Sequence, residues 1–171
     1  YMQHSLSTYV TELQATTASK ERIESELSIA REIQMGMIPK IFPPYPDRND
    51  VDLHAILHPA KEVGGDLYDF YIDDNRLYFL IGDVSGKGIP ASLFMAITRS
   101  LFRTLSQQVL SPAKIVTEMN NSISDNNESN MFVTLIVGIL DLQTGSLKLC
   151  NAGHNPPFII HPDLSLIHIS E

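Results

Sequence analysis

The stretch from residue 62 to residue 88 constrains the fold of this chain more than any other part of the sequence. Two runs of alternating apolar residues flank the dipeptide Asp74-Asn75, and both residue types tolerate the positive φ angles of a two-residue hairpin turn. A turn at this dipeptide determines which residues of the two strands face each other. We expect one face of the hairpin to carry an apolar row that faces the core and ends in two acids. The expected pairs are Ile72 with Leu77, Phe70 with Phe79, Tyr68 with Ile81, and Asp66 with Asp83.

The last of these pairs brings two carboxylates together. Opposed residues on antiparallel strands have Cβ atoms about 4.5 to 5.5 Å apart, and two like charges at that distance repel unless a cation lies between them or one is protonated. Carboxylate oxygens are ligands that Mg²⁺ and Mn²⁺ prefer, and the main-chain carbonyl of Val84 can add another oxygen. Asp66 and Asp83 are therefore candidate metal ligands. The alternative is that both acids simply end their strands at a solvated rim.

Three zones of different composition divide the chain. Residues 1–37 contain no proline and are predicted to form one long helix, in which a heptad repeat places apolar residues at eight of eleven seam positions. We expect this coiled-coil helix to form a parallel homodimer; the alternative is that it folds back along its own domain. Residues 38–50 contain four prolines and are predicted to be an extended connector. Residues 51–171 are predicted to form the domain that follows.

The hydrophobic pattern of this domain has a period of two, except for a helical segment in its middle. Strands are expected at residues 51–58, 66–72, 76–84, 131–141, 147–151 and 158–161, and helices at residues 90–107 and 112–124. Strands joined by two to five residues are antiparallel. The pattern therefore predicts an α+β fold, an antiparallel β-sandwich with flanking helices.

Composition excludes one class of partner. Twenty acidic and twelve basic residues give a net charge of −8, which repels the phosphate backbone of nucleic acids. No apolar run reaches the roughly 18 residues of a membrane span, and the single cysteine, Cys150, cannot form an internal disulfide. We expect a cytoplasmic location, either of a free protein or of the cytoplasmic part of a membrane-anchored sensor.

Three runs of the sequence, in this order, resemble a known family. They are EVGGDLYDF (62–70), IGDVSGKGIPASLFMA (81–96) and FVTLIVGILDLQTGSLKLCNAGHNPPFII (132–160). They resemble bacterial serine/threonine phosphatases of the stage II sporulation E and sigma-factor-regulator type, within the metal-dependent superfamily that includes protein phosphatase 2C. The resemblance implies hydrolysis of phosphoserine or phosphothreonine on a phosphorylated regulatory protein, an anti-sigma-factor antagonist of the STAS type. It also implies that residues 1–37 follow an upstream sensor module.

The resemblance assigns roles to individual residues. Asp83 corresponds to the carboxylate that bridges two Mn²⁺ or Mg²⁺ ions, and the carbonyl of Val84 corresponds to a ligand of one of them. Asp66 corresponds to another ligand. Both aspartates would act in catalysis through the bound metals, with water attacking the phosphorus directly, so that no nucleophilic side chain is required.

The sequence departs from the family near its C-terminal end. Family members continue beyond NAGHNPP to a Thr-Asp-Gly motif and a late aspartate, which supply the remaining metal ligands, and this chain contains no Asp-Gly pair. We therefore expect residues 51–171 to be the N-terminal two-thirds of a C-terminally truncated phosphatase domain, with weak metal binding and little turnover. A catalytically inactive phosphatase-fold module for signalling or dimerisation is the alternative.

Three polar residues near the motifs are weaker candidates for substrate binding. Lys87 follows Asp83 in a loop where a cation would contact phosphate, although a solvated lysine is equally consistent with the pattern. Asn151 and His154 lie between two strands, where they either contact the substrate or cap backbone groups of a turn. Asp69 is expected on the opposite face of its strand from Asp66, and therefore away from the site.

Overall fold

The computed structural model describes residues 2–59, 61–125, 127–160 and 166–168, with residues 2–7 and 166–168 as backbone only. The chain is an α+β protein in which a long helix precedes a sheet and two further helices. The helices are α1 (Met2–Met37), α2 (Ile89–Ser106) and α3 (Pro112–Ser124). The strands are β1 (Leu67–Asp73), β2 (Arg76–Val84), β3 (Val133–Asp141), β4 (Leu147–Ala152), β5 (Phe158–Ile160) and β6 (Leu166–His168).

The first four strands form one antiparallel sheet in the order β1-β2-β3-β4, and β5 pairs with β6 in a separate hairpin. The register of β1 against β2 confirms the predicted pairs within the two strands: Tyr68 lies opposite Ile81, Phe70 opposite Phe79, and Ile72 opposite Leu77. Asp74 adopts a positive φ of 51° in the turn. The sequence pattern therefore predicted the pairing of this hairpin correctly.

The two faces of the sheet are covered by different parts of the chain. Helix α2 packs on the face that carries Asp69 and Tyr71, whose ring lies 6.2 Å from that of Phe102. The predicted apolar row lies on the other face, where Phe70 contacts the rings of Phe42 and Tyr45. The row was expected to face the core along its whole length, but Ile81 at its end is 47% exposed. The connector covers this face nearer the hairpin turn and leaves the end next to the acids open.

Helix α1 extends away from the domain for most of its length. Residues 8–26 are exposed, and only the last part of the helix meets the domain, where Gln34 and the following Ile38 are buried. Ion pairs between Lys20 and Glu24 and between Arg22 and Glu26 lie along its exposed surface. Among the described helices, none is long and apolar enough to cross a membrane.

The strand predicted at residues 51–58 is wrong. Residues 51–59 alternate between half-buried and exposed side chains, as a strand would, but they form no ladder with any described strand. Their odd-numbered apolar residues pack against the core, so the alternation reports burial of one side and not strand pairing. Within the described residues, the predicted sandwich is represented by the four-stranded sheet and the separate β5–β6 hairpin.

Other predicted boundaries differ by a few residues. Strand β1 begins at Leu67, so Asp66 lies just before the ladder, and β3 begins at Val133 and not at Met131. The side chain of Asn127 bonds both the N–H and the carbonyl of Met131 and so holds that residue in a turn. Residue 161, the predicted end of β5, lies outside the described residues.

A test of the sheet packing follows from Gly138, which lies opposite Phe79. A Cβ at Gly138 would overlap the Phe79 ring, so Gly138→Ala is expected to lower the free energy of unfolding by about 1 to 3 kcal/mol, measured by urea denaturation. Gly36→Ala is the matched control, because nothing lies within 4 Å of its new methyl group. Equal stability of the two variants would contradict the described packing.

Candidate functional site

A cleft of about 370 Å³ opens at the end of the sheet where β1 begins and β2 ends. One wall is the segment that enters β1, and the other is the end of β2 with the loop that leads to α2. The start of β3 forms its floor. The lining residues are Lys61, residues 63–66, residues 83–88, Phe132 and Thr134.

Asp66 and Asp83 lie in this cleft together. Burial raises the pKa of the Asp66 carboxyl, and a hydrogen bond with the Asp83 carboxyl and the charge of Asp83 raise it further, whereas the charge of His154 lowers it. A hydrogen bond between two carboxyl groups requires that one of them is protonated. The two carboxyl groups therefore lie close enough to interact directly.

Close backbone packing holds the first wall in place, although it belongs to no ladder. A Cβ at Gly65 would lie 2.8 Å from the carbonyl oxygen of Val84 and 3.3 Å from the Cβ of Ala91, so only glycine lets this segment approach β2 and α2. The side chain of Gln34 forms two hydrogen bonds with Gly64: its Nε2 donates to the Gly64 carbonyl at 2.6 Å, and its Oε1 accepts from the Gly64 N–H at 3.1 Å. Helix α1 thus bonds the residue two positions before Asp66.

The second wall is a glycine-containing loop. Gly86 and Gly88 have φ angles of 87° and 74°, which side chains with a Cβ adopt only with strain. Ser85 ties the loop to β3, because its N–H donates to the carbonyl of Phe132 and its hydroxyl accepts from the Phe132 N–H. Lys87 is exposed in this loop and lines the cleft.

Lys61 also lines the cleft, on the opposite wall, and the sequence analysis missed it. Both lysines are exposed, and neither forms an ion pair with a residue that the structure describes. The cleft therefore combines two carboxylates with two unpaired cations. A lysine three residues before the GGD motif carries no signal by itself, because only the tertiary structure brings it to the cleft.

Asn151 and His154 are linked to the cleft through Thr134. The His154 Nδ1 lies 3.0 Å from the Thr134 hydroxyl, and Thr134 lies opposite Asp83 in the β2–β3 register. The Asn151 side chain bonds the His154 backbone twice, donating to its carbonyl and accepting from its N–H. Asn151 thus caps the turn, and His154 lies beside the cleft without lining it.

Asp69 lies on the opposite face from Asp66, as the period of two predicted, and its carboxylate is completely buried. Two arginines of α2 approach it, Arg103 through two hydrogen bonds of 2.6 Å and Arg99 at 3.0 Å. The bond to Asp69 raises the pKa of Arg103, whereas burial lowers the pKa of Arg99. The sequence signal that was missed is the i, i+4 spacing of two arginines on an otherwise apolar helix.

The oxygen atoms of the cleft suit a hard divalent cation. Asp66 and Asp83 offer two carboxylates, and the Val84 carbonyl oxygen lies at the same end of the sheet. Within the ranges that the structure describes, no group of three or more His, Cys, Asp or Glu side chains converges. The cleft therefore presents two carboxylates and one carbonyl oxygen, fewer than the six oxygen ligands of an octahedral Mg²⁺.

Comparison with known proteins identifies the family of this chain. The model of the family "Stage II sporulation protein E (SpoIIE)" matches residues 73–169, which is more than half of the chain. The chain is 30% identical to Protein IcfG of Synechocystis sp. (strain ATCC 27184 / PCC 6803 / Kazusa), over 81% of this chain and 26% of that protein. It is also 30% identical to the phosphoserine phosphatase RsbU of Bacillus subtilis (strain 168), over 86% of this chain and 43% of that protein. The chain thus spans less than half of the length of either relative.

A solved structure shows the same fold. The SiaA-PP2C domain of Pseudomonas aeruginosa superposes with a TM-score of 0.65 and 21% sequence identity, over 77% of this chain and 54% of that chain. This likeness shows the fold, which is that of a protein phosphatase 2C domain. The chain belongs to the Stage II sporulation protein E (SpoIIE) family.

Proposed function

We propose that this chain is part of a metal-dependent protein serine/threonine phosphatase. The observation that carries the proposal is the cleft in which Asp66 and Asp83 lie together between two unpaired lysines. Paired acids attract divalent cations, and the cations and lysines together attract a phosphate group. RsbU, a relative with 30% identity, is a phosphoserine phosphatase, which supports the same class of substrate for this chain.

In this proposal Asp66, Asp83 and the carbonyl of Val84 hold Mn²⁺ or Mg²⁺, with two ions in the complete phosphatase. Such ions lower the pKa of water and offset the charge that develops on phosphate. The two aspartates therefore act through the bound ions and do not attack the substrate themselves. Repulsion between the two carboxylate charges favours binding of a cation between them.

The other cleft residues are assigned to substrate binding. Lys87 and Lys61 stand on opposite walls and attract the phosphoserine dianion from both sides. The His154 ring, whose Nδ1 lies 3.0 Å from the Thr134 hydroxyl beside the cleft, is assigned a hydrogen bond to the substrate. Asn151 acts indirectly, because its two bonds to the His154 backbone set the position of that ring.

The proposed substrate is a phosphorylated regulatory protein, an anti-sigma-factor antagonist of the STAS type, and the proposed location is the cytoplasm. We also propose that α1 follows an upstream sensor and pairs with α1 of a second copy. The exposed seam residues Tyr9, Leu13 and Ile23 support the pairing, because they are 68%, 68% and 54% exposed in the single chain. A coiled coil would bury this apolar seam.

The metal site is tested by Asp83→Asn. This change removes one of two charges that attract the ion, so we expect Mn²⁺ affinity to fall at least about tenfold, measured by electron paramagnetic resonance of free Mn²⁺. Asp52→Asn, which alters an exposed carboxylate on the connector side, is the matched control and should bind Mn²⁺ like the unchanged chain. Phosphate release from a phosphoserine peptide is measured in parallel. Equal rates of phosphate release from the unchanged chain and from Asp83→Asn would reject catalysis by this site.

The pH dependence of stability tests the carboxylate pair without metal. The pKa of Asp66 is raised in the folded chain above its ordinary value of 3.8. The contribution of this group to the free energy of unfolding is therefore largest below pH 3.8 and is lost as the pH rises through the pKa of the folded state. Asp83→Asn removes the repulsion. The free energy of unfolding of this variant, minus that of the unchanged chain, is therefore expected to increase between about pH 4 and neutral pH in a metal-free buffer. A difference independent of pH would show that the carboxylates do not interact.

The dimer is tested by the mass in solution, which is expected to be about twice the 19.1 kDa of one chain. Leu13→Asp places a charge at a heptad a position and should shift the mass to that of one chain, measured by light scattering. Ala18→Asp places the same charge at an f position, away from the seam, and should leave the dimer intact. A single-chain mass for the unchanged protein would exclude pairing through α1.

A further inference from the structure

The buried carboxylate of Asp69 accepts an unusual number of bonds for a group outside the cleft. Arg103 donates to both of its oxygens through Nε and Nη2, and the N–H of Phe70 donates to one of them at 2.9 Å. The same Nη2 of Arg103 donates to the Phe70 carbonyl at 3.0 Å, and the guanidinium carbon lies 4.6 Å from the centre of the Tyr71 ring. Arg103 is therefore fixed to two consecutive residues of β1.

Arg99 approaches the same carboxylate but is bound less well. Its Nε lies 3.0 Å from the Asp69 Oδ2, yet this nitrogen is buried and forms no hydrogen bond among the described residues. Arg99 and Arg103 are one helical turn apart on the same face of α2. Arg99 is therefore a matched control for Arg103, because it carries the same charge near the same carboxylate without the bidentate bond.

Stability alone does not account for this cluster. Replacing a buried ion pair by apolar residues of similar volume is often neutral or stabilising, and the rest of the inner face of α2 is mostly apolar. Ala91, Met95 and Phe102 are completely buried there, and contacts of this kind have no directional preference. A bidentate arginine–carboxylate bond does have a directional preference, because it specifies both the distance and the orientation of the two groups.

The position of α2 along β1 matters for the cleft. The first wall, residues 63–66, leads directly into β1, and the loop at 85–88 leads directly into α2. The first wall and α2 also touch at the cleft, since a Cβ at Gly65 would lie 3.3 Å from the Cβ of Ala91. A shift of α2 against β1 would therefore move the loop at 85–88 relative to Asp66, which is three residues before Asp69.

We propose that Asp69 and Arg103 are positioning residues, whose bidentate bond holds α2 at one place along β1 and so sets the separation of the two cleft walls. They touch neither substrate nor cation. The expected effect on metal binding rests on the proposed function. The positioning of α2 by the Asp69–Arg103 bond does not, because the bond is present in the chain without metal. Holding α2 in place along β1 requires the two parallel hydrogen bonds of a guanidinium group, and a positive charge alone is not sufficient.

The experiment compares Arg103→Lys with Arg99→Lys in the full chain. Both variants keep the charge, but only the first removes a bidentate bond. For Arg103→Lys we expect amide hydrogen exchange at residues 85–88 in the metal-free chain to be about tenfold faster, and Mn²⁺ affinity about tenfold weaker. For Arg99→Lys we expect changes of less than about threefold in both. The thermal unfolding curve of each variant is recorded, so that hydrogen exchange is measured at a temperature far below the midpoint of unfolding.

Two outcomes would overturn the proposal. One is that Arg103→Lys lowers stability but leaves exchange at residues 85–88 and Mn²⁺ affinity unchanged, which is the behaviour of a purely structural ion pair. The other is that Arg99→Lys has the same effects as Arg103→Lys. If the unchanged chain binds no Mn²⁺, the proposed function fails, and the exchange measurement still decides whether the pair positions the loop.

A second variant covers the case in which Arg103→Lys does not fold. Asp69→Leu combined with Arg99→Met and Arg103→Met replaces all three charges by apolar groups of comparable size and is expected to fold. Faster exchange at residues 85–88 in this folded variant would support the positioning role. Exchange equal to that of the unchanged chain would reject it.

Discussion

Each residue of β1 is paired with a residue of β2 through the two-residue turn at Asp74-Asn75, and the geometry of the site depends on this pairing. Because side chains alternate along a strand, one register places Asp69 under α2 and sends Asp66 to the open end of the sheet. A shift by one residue would exchange the two faces of the hairpin. It would then place Asp69 on the side of the connector and remove it from its arginines.

The acidic side chains of the hairpin lie in two opposite environments. Asp69 is buried and fully bonded, with two arginines and a backbone N–H around it. Asp66 and Asp83 lie in an open cleft, where the pKa of Asp66 is raised by burial and by the neighbouring acid. A bonded buried acid fixes structure, whereas a pair of acids that repel each other in a cleft is suited to binding a cation. This difference separates the supporting part of the hairpin from its functional part.

The contacts around the cleft come from distant parts of the chain. Gln34 of α1 bonds Gly64, Ala91 of α2 packs against Gly65, and Ser85 bonds Phe132 at the start of β3. The walls of the cleft are therefore positioned by α1, α2 and the sheet at once. Local pairing of β1 with β2 would not by itself hold residues 63–66 or 85–88, because neither segment belongs to the ladder between these strands.

Sequence reasoning succeeded where the determining interaction is local and failed where it is not. The alternation and turn of the hairpin predicted its register, and the helix and strand patterns placed the later elements within a few residues. The expected strand at residues 51–58 was wrong because alternation reports burial of one side and does not show that a partner strand is present. Lys61, Gln34 and the arginine partners of Asp69 were missed, since their contacts join residues about 30 positions apart or depend on the course of a loop.

The sequence by itself determined the register of the hairpin, which directs Asp66 and Asp83 to the same end and turns Asp69 to the opposite face, because a period of two and a two-residue turn specify the pairing of β1 with β2. Only the tertiary structure decided what surrounds these acids. Burial under α2 gave Asp69 its arginines, whereas the other two acids line a cleft together with Lys61 and Lys87. The physical reason is that backbone pairing is specified by neighbouring residues, whereas desolvation and charge compensation depend on which distant segments pack together.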